Sequence, residues 1–224
     1  MKYIGIDLAW TNKNETGLCI FEDKSCIFLD AKVYTNDELV TIIKDNEPCI
    51  VSIDGPLVVD NEKGGRSVDS ILMKTPINDR YLKLYATSKT YMIRSFGGIR
   101  GVDIKTQLQS KVLGSDLLET FPTGIFLSLF LDIYDNKYKI SSRLKLNDLK
   151  DNALSLLNRI KGLGFDFDLD LYDVNTKKAY KLEEDKIDAI LCALNSYYHH
   201  HKQSLVFQDQ SGCIVLPKKW SSFN

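Results

Sequence analysis

The chain has 224 residues, a formal net charge of -1 and a hydrophobic share of 44%. That length can bury a substantial core, as one large domain or two small ones. So balanced a charge excludes a bulk electrostatic attraction to nucleic acid or membrane, and any such surface must be local.

The N-terminal MKYIGIDLAW alternates too regularly for a signal peptide and carries no cleavage site of small residues. The longest uncharged apolar run, TFPTGIFLSLFL, is well short of the roughly 20 residues that a membrane helix needs. The five cysteines (Cys19, Cys26, Cys49, Cys192 and Cys213) form no CxxC pair, and most sit in apolar runs. They read as reduced, buried thiols of a cytoplasmic protein, with no zinc site among them.

In chain order, YIGIDLAW, TGLCIFE and SCIFLDA read as three strands in an antiparallel meander, with Asp23-Lys24 as a tight connection. TNDELVTIIKDNEP then carries Thr35 and Glu38 at capping-box spacing, a helical stripe, and Pro48 as its stop. CIVSID is a short apolar run of the kind expected of a central parallel strand. Residues 57–115 read as a helical insertion, with a helix start in GGRSVDSILMK and a helix in GVDIKTQLQSKVLG closed by Gly114. SDLLETFP reads as a fifth strand broken by Pro122. RLKLNDLKDNALSLLNRIKGLG is an amphipathic helix ending at Gly162 or Gly164, and LEEDKIDAILCALNSYY is a second strong helix. FDFDLDLYD alternates like a half-exposed or edge strand, and LVFQDQSGCIVLP reads as a closing hairpin around Ser211-Gly212. The expected fold is α/β, a single domain with one mixed sheet flanked by helices, in the element order of the ribonuclease H-like fold.

Two of these strands end alike. In IGID, Gly5 and Asp7 share a face; in VSID, Ser52 and Asp54 do. A small residue beside each aspartate lets another element come close to the sheet at that point. On parallel neighbours about 4.8 Å apart, the two carboxylates repel and raise each other's pKa. A magnesium or manganese ion between them removes the conflict. The plainer reading is that each aspartate starts a turn, as DGP does well by itself. In LEEDKIDAILCAL, Asp185 and Asp188 share a helix face. Glu183, Glu184 and Asp185 can be explained as acids complementing a helix N-terminus. Asp188 sits deeper, which ranks it higher as a ligand. Glu119 in LLETFP either needs a partner inside the sheet or emerges at the strand's end.

GIDLAW, SIDGPL, LETFPTGIF, DKIDAILCAL and GCIVLP, taken in order, resemble the signature blocks of the domain-of-unknown-function family 429. Members of that family are regarded as nucleases of the ribonuclease H-like superfamily. The resemblance implies a carboxylate-held Mg or Mn site that hydrolyses phosphodiester bonds of a nucleic acid. It implies Asp7 and Asp54 as core ligands, completed by Asp188 with Asp185. Glu119 matches a recurrent acidic position of the family.

Between Arg80 and Lys111 the insertion is basic, with Tyr81, Tyr85, Tyr91 and Phe96 interleaved. It reads either as a nucleic-acid-contacting flap or as a solvated insertion whose aromatics pack on the core. Arg66, Arg94, Arg100 and Trp10 are the substrate-contact candidates. Consecutive residues such as His199-His200-His201 diverge on a helix and fit its C-terminus better than a metal. Two alternatives stand beside the nuclease: a non-catalytic nucleic-acid or nucleotide-binding module, and a phosphotransferase of the actin-like ATPase type. The latter usually has a Gly-Thr or Gly-Ser phosphate loop where this chain has Leu8-Ala9-Trp10.

Overall fold

The computed structural model describes residues 1–47, 49–109 and 116–218. Three antiparallel strands open the chain: β1 (Lys2–Asp7), β2 (Thr16–Glu22) and β3 (Ser25–Lys32). The β2–β3 turn places Asp23 at a φ of 53°, the left-handed conformation a tight connection needs. Helix α1 (Asn36–Asp45) starts on the expected capping box of Thr35 and Glu38. β4 (Cys49–Asp54) then pairs parallel to β1.

Between β4 and β5 the described residues form three helices: α2 (Ser67–Lys74), α3 (Lys89–Phe96) and α4 (Arg100–Gln109). Pro48 and Gly114, the expected stops, lie outside the described residues. β5 (Asp116–Thr120) is followed by α5 (Pro122–Leu129), α6 (Leu146–Gly162), α7 (Lys177–His200) and the hairpin β6 (Ser204–Asp209) and β7 (Gly212–Pro217). The seven strands form one mixed sheet in the order β3-β2-β1-β4-β5-β7-β6.

Three local expectations are corrected. Pro122 does end β5, but it does so by opening α5 at the helix's first position, where its missing N–H costs nothing. This helix is buried on nearly every side, so its sequence has no polar face to reveal a period. FDFDLDLYD is extended but is not a strand. Its alternation is real, since Phe165, Phe167 and Leu171 are buried. Its main-chain pairing is one bridge, Asp166 to Ser25, across the β2–β3 turn. Finally, α7 starts at Lys177 on a Thr176 cap, so Glu183, Glu184 and Asp185 lie well past its first turn. A favourable helix dipole does not account for them.

The sheet is covered on both faces. Ile4, Ile6, Leu18, Ile20, Val51 and Ile53 pack on Leu39, Val40 and Ile43 of α1 and on Ile104 and Leu108 of α4. Tyr3, Cys19 and Phe21 face the other way, into a core with α2, α5, α6 and α7. At the centre of this second face, α7 lies directly on the strands. A Cβ added to Gly5 would stand 2.0 Å from the Ala189 carbonyl oxygen and 2.2 Å from the Ala193 nitrogen. One added to Gly17 would stand 2.0 Å from the Asp185 carbonyl oxygen. On β4, Ser52 takes the same role with hydrogen bonds: Ser196 Oγ at 2.8 Å and Asn195 Nδ2 at 3.1 Å. The small residue two places before each aspartate is thus the seat of α7.

Gly5→Ala is expected to destabilise the fold by about 3 kcal/mol or more, because backbone rather than a flexible side chain must move. Gly162→Ala, whose added Cβ meets nothing within 4 Å, is expected to change stability by less than about 1 kcal/mol. Urea denaturation of the two variants measures the difference.

Candidate active site

Asp7 and Asp54 are register partners at the carboxyl ends of parallel β1 and β4. Helix α7, seated on Gly5, Gly17 and Ser52, brings Asp185 and Asp188 over the same ends. Both α7 carboxylates are buried, and Asp7 and Asp54 are partly buried. The Asp7 carboxyl lies beside those of Asp54 and Asp185. A cleft of about 320 Å³ opens onto Asp7, Asp54 and Asp185, bordered by Trp10, Asn14, Glu15 and Lys181.

The electrostatics follow from crowding. Burial, then the charges of Asp188 and Asp54, hold the Asp7 carboxyl well above its ordinary value of 3.8. Burial is likewise the main cause that lifts Asp54 to about 7, with Asp188 and Glu119 adding to it. Asp185 is raised by burial, against the pull of Lys181. Of the acids here, Asp7 is raised well above its ordinary value by burial and by the charges around it.

Two ammonium groups partly balance the four acids. Lys139 Nζ lies 2.7 Å from Asp188 Oδ2, and the Tyr138 hydroxyl donates to Asp188 Oδ1 at 2.5 Å. Lys181 Nζ lies 2.8 Å from Asp185 and 2.9 Å from Glu184. Asp188, Asp54 and Asp7 together raise the Lys139 pKa above its ordinary value, against the opposing effect of burial. Among the described residues, no group of three or more His, Cys, Asp or Glu side chains stands in an arrangement that could hold a metal ion. The acids meet, but the oxygens of Asp185 and Asp188 are turned to ammonium and phenol partners.

Glu119 does not join this group. It pairs in register with Ile53, so alternation turns it to the face away from α7. There it is buried against Arg66, whose Nη2 lies 2.5 Å from Glu119 Oε1 and 2.6 Å from Asp69 Oδ1. The Leu57 N–H donates to Glu119 Oε2 at 2.8 Å. Of the two sequence readings of Glu119, the need for an internal partner is the one that applies.

The same geometry shows what two substrate-contact candidates are bound to. Arg66 has every donor engaged: Nε to Asp69, Nη1 to Val58 O and Glu119, and Nη2 to Asp69 and Glu119. Arg100 is also buried. It donates to Asn36 Oδ1, to the carbonyls of Ala9, Thr11 and Tyr34, and to Thr16 Oγ1. It anchors the loop that follows Asp7 and borders the cleft.

Trp10 is 42% exposed and stacks on Phe96 at 5.1 Å, between the acid cleft and a smaller one of about 110 Å³ floored by Arg66, Asp69 and Glu119. Arg94 is exposed on α3. The basic insertion is less free than its sequence implied. Arg80 is bound to Asp135 and Lys89 to Glu62, Arg100 is buried, and Lys111 lies outside the described residues. Lys139 and Tyr138 were not anticipated. Their segment, KYKIS, has no motif, and their proximity to Asp188 depends on how it packs against α7.

Folding lifts the Asp54 carboxyl from 3.8 to about 7, so the native state holds that proton more tightly than the unfolded chain. Its contribution to stability is fully present below about pH 4 and is lost as pH rises through about 7. Asp54→Asn is therefore expected to stabilise the protein by about 2 kcal/mol at about pH 8, and by clearly less at about pH 5. Thermal unfolding at the two pH values checks this.

No protein-family model, no curated protein and no solved structure matches the chain.

Proposed function

We propose that the chain is a metal-dependent nuclease of the ribonuclease H-like type, hydrolysing phosphodiester bonds of a nucleic acid. The observation that carries this reading is the register pairing of Asp7 with Asp54 beneath two α7 carboxylates. The strand order supports it: three antiparallel strands, with β4 parallel to β1. So does the resemblance of the five sequence blocks to the family-429 proteins.

The donor types are those magnesium and manganese take, and gathering three of them on one ion requires Asp185 and Asp188 to turn from their ammonium and phenol partners. All are carboxylate oxygens from three elements, and the raised proton affinities of Asp7, Asp54 and Asp185 are those a divalent cation would relieve. Asp7 and Asp54 would hold the ion, with Asp188 once Lys139 has moved aside and with Asp185. Such an ion would supply an activated water and charge stabilisation at the leaving oxygen. The chain's own contribution is to seat the acids on backbone that cannot retreat from α7.

The Lys139–Asp188 contact favours one second reading: an acid cluster neutralised by Lys139 and Lys181 and used without metal in a nucleotide- or nucleic-acid-binding module.

Cleavage of a labelled panel of DNA, RNA, hybrid and branched substrates in Mn²⁺ or Mg²⁺ tests the first reading. The parent is expected to cleave, and folded Asp7→Asn to lose at least about 100-fold in rate. Calorimetric titration with Mn²⁺ alone separates the two readings. For the nuclease, Asp7→Asn weakens binding and Lys139→Met tightens it by on the order of tenfold, since the competing ammonium is gone. An acid cluster that works without metal binds no Mn²⁺ in either form.

A further inference from the structure

Among its described residues the insertion has few free cations, yet a second basic surface stands beside the acids. Residues 134–144, with Thr123 and Phe126 of α5 and Asn152 of α6, enclose a cleft of about 790 Å³. Lys137, Lys139 and Arg143 line it. The acid in its lining is Asp135, which is held by Arg80 through two contacts of 2.7 Å. With Lys139 paired to Asp188, Lys137 and Arg143 are the lining cations without a carboxylate partner among the described residues.

The wall of this cleft is fastened in place. Tyr180 Oη donates to Tyr138 O at 2.7 Å, the Ile140 N–H to Glu184 Oε2 at 2.6 Å, and Lys177 Nζ to Ser141 O at 2.9 Å. On the other side, Asn152 Nδ2 donates to Lys137 O at 2.9 Å. Three of these four bonds run to α7, the helix that carries Asp185 and Asp188. The cleft is thereby held in register with the acid cluster. Lys139 joins the two, since its residue lines the cleft and its ammonium reaches Asp188.

We propose that this cleft is the binding groove for the phosphodiester backbone of the nucleic-acid strand, with Lys137 and Arg143 contacting phosphates and Lys139 marking its entry to the acids. The inference rests on the nuclease reading for the identity of the polyanion. Lys137 and Arg143 lie at separate points of the lining, so successive phosphates of one strand can meet each in turn. The groove also moves strand binding from the insertion, where Arg66 and Arg100 are internal, to the segment between α5 and α6.

The test is fluorescence anisotropy of labelled single- and double-stranded oligonucleotides with the full chain in EDTA, across a salt series. Lys137→Glu/Arg143→Glu is compared with Lys83→Glu/Arg94→Glu on the insertion, each checked for folding by circular dichroism. Lys137→Gln/Arg143→Gln serves as the milder pair. The cleft pairs are expected to weaken binding at least tenfold and to lower the slope of log Kd against log salt by about 2. The insertion pair is expected to change affinity by less than twofold.

Three results overturn the proposal: no strand binding by the parent, an equal or greater loss in the insertion pair, or equal binding of a mononucleotide, which would mark a site for a small phosphorylated ligand. Since EDTA removes cleavage from the readout, strand binding that depends on the cleft without cleavage in Mn²⁺ would overturn the hydrolytic reading alone.

Discussion

The contact between helix α7 and strands β1, β2 and β4 governs the rest of this molecule. A helix laid on a sheet usually stands off by the thickness of two layers of side chains. Here the backbone of α7 meets Gly5 and Gly17 with no room for a methyl group, and Ser52 receives it through hydrogen bonds to Asn195 and Ser196. Two consequences follow from that one approach. The helix is fixed in register on the sheet, and the acids on its underside are carried to the ends of β1 and β4. A layer of larger residues at these positions would leave the same four carboxylates apart.

Such proximity has an electrostatic cost, which the protein only partly offsets. Four carboxylates share a partly enclosed volume with two ammonium groups, and the crowding raises the proton affinity of Asp7 and Asp54. A cluster of this kind is held together by packing elsewhere, since its own interactions favour separation. That is the usual condition of a site built for a cation or for proton transfer.

Other charged residues serve to hold that arrangement. Arg66, Asp69 and Glu119 join the start of α2 to the end of β5, and Arg100 joins the loop after β1 to the region before α1. Each arginine satisfies several main-chain or carboxylate acceptors from inside the fold. Removing either would leave buried acceptors without partners. Their chemistry resembles that of substrate-binding arginines, and burial alone separates the two roles.

Local patterns in the chain determined much of this structure. Alternation specified the strands, the Thr35–Glu38 spacing specified the start of α1, and the two small-x-Asp endings specified both the seat of a helix and the acids beside it. These features depend on residues a few places apart, so the chain displays them directly. Tertiary structure decided the rest. Helix α5 had no polar face to show its period. The extent of α7, capped at Thr176, removed the helix-dipole account of Asp185. The assignment of Glu119 to Arg66, and of Asp188 to Tyr138 and Lys139, joins residues some fifty positions apart. Which ammonium reaches which carboxylate depends on the faces that meet when the layers close. Charge and spacing along the chain hold no record of that meeting.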